Sequence, residues 1–175
     1  AELETLVKAH DIGVIKMEVV RNMGPEDNFL HKVRKLATDR GIVLIFDECT
    51  SGFRETFGGL HKKYGVEPDM AMFGKALGNG YGITATIGKR EIMEAAQTTF
   101  ISSTFWTERI GPTAALATLK VMEQLKSWET TTQTGLNIRQ GWQQLADKHG
   151  LNINHWGLAA LTGFTFQSEN ALAYK

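Results

Sequence analysis

The chain has 175 residues, 42% hydrophobic and 22% charged, enough for one domain with a sizeable core, or for one domain and part of another. Lysine plus arginine equals aspartate plus glutamate, 19 each, so there is no net basic field to attract nucleic acid or anionic lipid. A single cysteine, Cys49, excludes an internal disulfide framework and suits a reducing compartment, and no apolar run approaches membrane-spanning length. The opening AELETLVKAH lacks the pattern of a signal peptide, so the expected location is the cytoplasm, with no membrane and no nucleic acid as partner.

In chain order, AELETLVKAH reads as a helix and IGVIKMEVV, from Ile12, as a strand. The turn residues Asn22-Met23-Gly24-Pro25 follow, with Pro25 suited to the first turn of the next helix. From Glu26 to Arg40 the apolar residues Phe29, Leu30, Val33, Leu36 and Ala37 recur at helical spacing, and Gly41 stops the helix. Two short apolar runs, Ile42 to Phe46 and Met70 to Phe73, have the form of buried parallel strands. Strand, helix and strand in this order make a βαβ unit with a right-handed crossover. Ile83 to Ile87 is a further strand and Lys89 to Gln97 a short helix. Gly111-Pro112 opens a long helix whose apolar stripe is Ala114, Leu116, Leu119, Val121, Met122 and Leu125. A second helix covers roughly Thr134 to His149, and the tail reads as two strands around a Gly157 turn. The fold class is α/β. Four strands fall short of a parallel sheet covered on both faces, so the expectation is an internal piece of a larger protein.

A polar group stands just past each buried strand: Asp47-Glu48 after the first, Lys75 after the second. Ligands of open α/β sheets bind at the carboxyl ends of the strands. A carboxylate and an amine on one such edge match the needs of pyridoxal phosphate. The amine forms a Schiff base with its aldehyde, and the carboxylate keeps its pyridine nitrogen protonated, so the ring draws electrons. Lys75 would then also be the base that moves the substrate proton. Taken alone, Lys75 reads first as a solvated loop lysine, the usual fate of a lysine, and the alternative for Asp47 is a helix N-cap. Glu48 has a weaker claim, as an orienter of backbone or a partner of Arg54.

Other motifs fall away. Gly78, Gly80 and Gly82 do not complete G-x-G-x-x-G, because residue 83 is Ile, and Gly74-Lys75 lacks the remaining positions of a Walker loop. Asp47, Glu48, Cys49 and His61 are potential metal ligands, but without H-E-x-x-H or paired C-x-x-C spacing. His10, His31, His149 and His155 are scattered and read as solvated.

The segments D-E-x-x-S-G-F-R, from Asp47, and P-D-M-A-M-F-G-K-A-L-G-N-G, ending in the glycines after Lys75, resemble the signature of class III pyridoxal-phosphate aminotransferases, in the branch of glutamate-1-semialdehyde 2,1-aminomutase. The resemblance implies the large domain of a fold type I, aspartate aminotransferase-like transferase over residues 1–128, with a linking helix and the start of a small α/β domain over 129–175. It implies a homodimer and a small amino or carbonyl substrate. Lys75 is the catalytic, cofactor-bearing lysine, and Asp47 the partner of the ring nitrogen. Cys49 takes the position that packs on a face of the ring, where the family pattern has Val or Ile. Thr104, in SSTFWTERIGP, matches the threonine that reaches the cofactor phosphate of the neighbouring subunit. Thr107 is a rival, since Phe105-Trp106-Thr107-Glu108-Arg109 replaces the family's Gly-Asn-Pro turn. The phosphate-binding turn and the residue stacking on the ring belong upstream of this sequence, and the group that binds a substrate carboxylate belongs beyond Lys175. The activity implied is amino-group transfer, within one molecule or between a donor and a carbonyl acceptor, an amino sugar among the candidates. Against it stand a non-catalytic scaffold and a nucleotide-binding α/β protein.

Overall fold

A computed structural model of the chain describes residues 2–102, 104–105 and 107–171. Helix α1 (Glu2–Ala9) leads into strand β1 (Val14–Met17), helix α2 (Phe29–Arg40) and strand β2 (Val43–Asp47). After an irregular loop and one turn of helix, α3 (His61–Tyr64), come β3 (Met70–Phe73) and β4 (Ala85–Gly88). The four strands lie in the order β1-β2-β3-β4. The first three are parallel, and β4 runs antiparallel to β3.

Alternation along β2 sends Leu44 and Phe46 into a fully buried core with Ile15, Leu30, Val33 and Ala37, so α2 covers that face of the sheet. Burying a side chain of this size is worth about 1.5–3 kcal/mol. The opposite face carries Lys16, Ile45, Asp47, Met70 and Met72, which are partly or well exposed.

The register of β2 against β3 is pinned at its start by Asp69. Its amide donates to the Leu44 carbonyl at 2.8 Å, and its Oδ2 accepts the Leu44 amide at 2.8 Å. Arg34 of α2 reaches the same oxygen at 2.8 Å, and Lys89, beyond β4, reaches Oδ1 at 2.7 Å. Burial by itself raises this carboxyl, but the Leu44 amide, Lys89 and Arg34 outweigh it and hold the pKa at about 2. One side chain thus ties three strands to the covering helix.

The loop after β2 is organised by Glu48, which is fully buried. The amide and Nδ1 of His61 each lie 2.9 Å from its Oε1, and Ser51 Oγ donates to Oε2. An ionised carboxylate only accepts, so Nδ1 carries the ring proton. Burial pushes the Glu48 carboxyl up, and the bonds from His61, Ser51 and the loop backbone bring it below its ordinary value. A Cβ at Gly59 would fall 2.3 Å from the His61 ring and 2.9 Å from Glu48 Oε1, so only glycine lets the chain pass this pair.

Helices α4 (Arg90–Met93), α5 (Ile110–Leu125) and α6 (Ser127–Lys148) follow, then the antiparallel pair β5 (Ile153–Trp156) and β6 (Gly163–Phe166). The tail is fastened to the first core: Leu158 is buried within it, and the Ala159 amide donates to Glu55 Oε1 at 2.9 Å. Arg139 of α6 donates to the Gly157 carbonyl at 2.7 Å.

Several sequence expectations need correction. Helix α2 begins at Phe29, because Asp27 and Asn28 have φ of 49° and 56° and cannot continue a right-handed helix, so Pro25 lies outside it. The α5 stripe is misplaced: Gly111 and Ala115 are buried, while Leu116, Val121 and Leu125 stand exposed. Helix α6 starts at Ser127, seven residues before Thr134, and β5 and β6 are separated by a 3₁₀ turn at Ala159–Leu161. His155 is half-buried and stacked on Trp142, with Nδ1 buried and unpaired among the described residues.

Two outcomes are expected. Asp69→Asn should destabilise the fold by about 2–4 kcal/mol in denaturant titration, since it strips the charge that Arg34 and Lys89 share. Because the folded pKa of Asp69 lies below the unfolded one, its contribution is complete above about pH 4 and disappears as the pH falls towards 2. The variant should therefore lose about one proton from the acid-unfolding slope in that window. Glu48→Ala leaves the His61 amide, His61 Nδ1 and Ser51 Oγ facing a void, and should cost about 3–5 kcal/mol, read as a fall in Tm.

Candidate active site

Parallel pairing of β2 with β3, with Asp47 opposite Met72, brings both strands to their carboxyl ends at one edge of the sheet. Asp47 is the last residue of β2, and Lys75 follows β3 after Gly74. The structure thus places Asp47 and Lys75 on the same edge of neighbouring strands.

Lys75 adopts φ of 42°, left-handed backbone that costs a non-glycine residue about 1–2 kcal/mol. It begins a 3₁₀ turn, Lys75–Leu77, closed by the Leu77 amide on the Gly74 carbonyl at 2.9 Å. Its Nζ donates to Thr50 Oγ1 at 2.7 Å, which points the amine back across the edge towards the loop after β2. Gly78 closes the turn where a Cβ would lie 2.0 Å from the Tyr81 carbonyl oxygen.

Asp47 is partly buried and served by two donors. Lys16 Nζ of β1 lies 2.9 Å from Oδ2, and the Cys49 amide donates to Oδ1 at 3.2 Å. The Lys16 hydrogen bond outweighs burial and holds the Asp47 carboxyl below its ordinary pKa; the same bond raises Lys16. Cys49 lies against the backbone before Lys75: a Cβ at Gly74 would stand 3.5 Å from its Sγ. Burial, then the Asp47 charge, pushes its thiol up, so at neutral pH it is an S–H group.

An ionised carboxylate, a lysine amine and a small neutral side chain on one sheet edge fit the ring nitrogen, aldehyde and ring face of pyridoxal phosphate. Among the described residues, no group of three or more His, Cys, Asp or Glu side chains could hold a metal ion. His61 and Glu48 do meet, but as a buried pair, and Arg54 Nε donates to the Thr50 carbonyl at 3.3 Å in place of the expected Glu48 contact. A cleft of about 460 Å³ opens beside the Lys75 turn, lined by Phe53, Arg54, Ala76, Asn79, Val121 and Met122 among others. Asp47, Cys49 and Lys75 do not line it.

Thr104 and its rival Thr107 are exposed in the segment before α5, and among the described residues neither hydrogen-bonds to Asp47, Thr50 or Lys75. Trp106, in the same segment, lies outside the described residues. Glu108 supplies what the departing turn sequence concealed. Its carboxylate accepts the Ile110 amide and, at 3.1 Å, the Gly111 amide, so it satisfies the first donors of α5. Those backbone bonds lower its pKa. Thr50 and Lys16 were not singled out from the sequence, since contacts across 25 residues and between strands leave no mark in local spacing.

Comparison with known proteins bears on the family and the fold. The family model described as aminotransferase class-III matches residues 7–171. A 3-aminobutyryl-CoA aminotransferase of Cloacimonas acidaminovorans is 36% identical over 152 residues, covering 86% of this chain and 37% of that protein. A glutamate-1-semialdehyde 2,1-aminomutase of Natranaerobius thermophilus is 34% identical over 160 residues, 88% of this chain and 37% of that protein. Among solved structures, the FumI protein of Sphingopyxis sp. MTA144, in its PLP internal aldimine form, matches with a TM-score of 0.88 at 27% identity, over 95% of this chain and 42% of that one. An S-selective transaminase of Arthrobacter sp. shares the fold, with a TM-score of 0.75 at 23% identity over 97% of this chain and 38% of that one. The chain spans somewhat over a third of the length of the curated relatives it matches. With the family model running over nearly all of the described residues, and the two motifs at the sheet edge where their chemistry needs them, the chain belongs to the class-III aminotransferase family.

Proposed function

We propose that this chain carries the lysine-bearing part of an enzyme that moves an amino group on a small amine or carbonyl substrate, using pyridoxal phosphate. The observation that carries this reading is the Asp47–Lys75 edge, formed by two adjacent parallel strands. The relatives are named for an aminotransferase and an aminomutase, and both kinds of transfer are compatible with this edge.

When bound, the cofactor supplies an aldehyde for a lysine amine and a ring that withdraws electrons from the substrate carbon. Lys75 would hold the cofactor through Nζ, and its amine would move a proton between the substrate carbon and an acceptor position. Thr50 receives the Nζ hydrogen bond and orients the amine. Asp47, whose carboxyl is held below its ordinary pKa, would keep the ring nitrogen protonated. Cys49 offers a neutral surface to one ring face. Thr104 serves the cofactor phosphate of a neighbouring subunit in a homodimer, and residues 129–175 begin the small domain. Among the described residues no helix is long and apolar enough to cross a membrane.

The test is borohydride reduction of the full chain after loading with pyridoxal phosphate, followed by peptide mapping. The pyridoxyl label should concentrate on Lys75. Label absent from a folded protein, or spread over surface lysines, would hand the fold to a scaffold role. Lys75→Ala should abolish the label and lower the amino-transfer rate by about 10²–10⁴-fold, the range of a general base, in a single-turnover assay. Thr50→Val keeps the volume but removes the acceptor, and should slow the same step by about tenfold with little change in Tm.

A further inference from the structure

We propose that Lys16 is a stand-in cation: it neutralises Asp47 while the cofactor is away and has to give up the carboxylate when the ring nitrogen arrives. This rests on the reading of Asp47 as the ring-nitrogen partner. Lys16 would be a positioning residue acting through Asp47, so it sets how tightly the cofactor is held.

The backbone already places it for this. Lys16 of β1 is in register with Ile45 of β2, and side chains two apart on a strand share a face, so Lys16 and Asp47 lie on one face of neighbouring strands. The ammonium lies 2.9 Å from Asp47 Oδ2, while Oδ1 accepts the Cys49 amide. The Asp47 side chain is 25% exposed, enough desolvation for an unpaired carboxylate to be costly. A protonated ring nitrogen brings a second positive charge to the same group. Oδ1 is already engaged by the Cys49 amide, so the ring nitrogen competes with Lys16 for Oδ2, and the side chain able to leave is that of Lys16, which is 52% exposed and can carry its ammonium into water on a flexible stem. Cofactor entry is then an exchange of one cation for another. Net affinity contains the loss of the Lys16–Asp47 pair.

A cofactor analogue without the ring nitrogen has no claim on Asp47 and does not enter the exchange. The experiment therefore measures, in the full chain, dissociation constants for pyridoxal phosphate and for its 1-deaza analogue, in which the ring nitrogen is replaced by C–H. Lys16→Met should strengthen the preference for pyridoxal phosphate over the analogue by roughly three- to sixfold, as expected from losing a competing, partly exposed ion pair. Lys16→Arg, which keeps the charge, should behave as the unaltered protein. Asp47→Asn should erase the preference. An unchanged preference in Lys16→Met, with that preference still lost in Asp47→Asn, overturns the role of Lys16 and leaves that of Asp47 standing. Equal loosening of both ligands in Lys16→Met marks a merely structural residue and overturns it as well. Should Asp47→Asn bind both ligands as before, the ring-nitrogen reading fails, and the exchange with it.

Discussion

Everything at the candidate site depends on the register of β2 against β3, and that register is held by Asp69. Its amide and carboxylate bond reciprocally to the carbonyl and amide of Leu44, so β3 cannot slide along β2 without breaking both. A slip of one residue would turn Asp47 towards the core and Phe46 towards solvent, because side chains alternate along a strand. Arg34 and Lys89 then make the pin expensive to pull, since a carboxylate that has lost part of its water needs their charge. The pin sits at the amino end of β3 and the chemistry at the carboxyl end. Four residues of strand lie between them, short enough that fixing one end fixes the other.

From that edge outwards, the site is built by loops held from beneath. Glu48 gathers Ser51 and His61, and so shapes the loop that brings Cys49 and Thr50 next to the Lys75 turn. The left-handed backbone at Lys75 is a small strain set against this support. With Thr50 accepting its hydrogen bond, the amine is directed back over β2 instead of following the 3₁₀ turn away from it. Rigid placement of a nucleophile is the part of catalysis that a scaffold can supply before any ligand is present.

The elements that could be read from the sequence were those whose signal is local. Two apolar runs, each followed by a polar residue, were enough to place Asp47 and Lys75, and Gly41 marked the end of α2 where the structure has it. Signals that depend on what covers a surface were misread. The apolar residues of α5 recur at helical spacing, yet Leu116, Val121 and Leu125 face outwards, because periodicity identifies an apolar face without identifying its neighbour. Pairs that meet only in the folded chain left no trace: Glu48 with His61 across a loop, Lys75 with Thr50, Lys16 with Asp47 between strands. Asp69 lay inside the quoted motif, but its role is a matter of strand register, which composition does not express.

The charges at the edge also bear on which group reacts. Two lysines and one thiol lie near one carboxylate, and an aldehyde brought there would meet two kinds of nucleophile. Burial and the Asp47 charge both raise the Cys49 thiol, while the lysines oppose them less strongly. A thiol attacks as its thiolate, so this environment keeps Cys49 inert at neutral pH. Until a ring nitrogen takes its place, Lys16 is bound to Asp47, and that bond raises its pKa. Lys75 donates its hydrogen bond to the Thr50 hydroxyl. On the proposed reading, Asp47 therefore does more than hold the ring nitrogen. By adding to the effect of burial on the Cys49 thiol, it suppresses that competitor for the aldehyde.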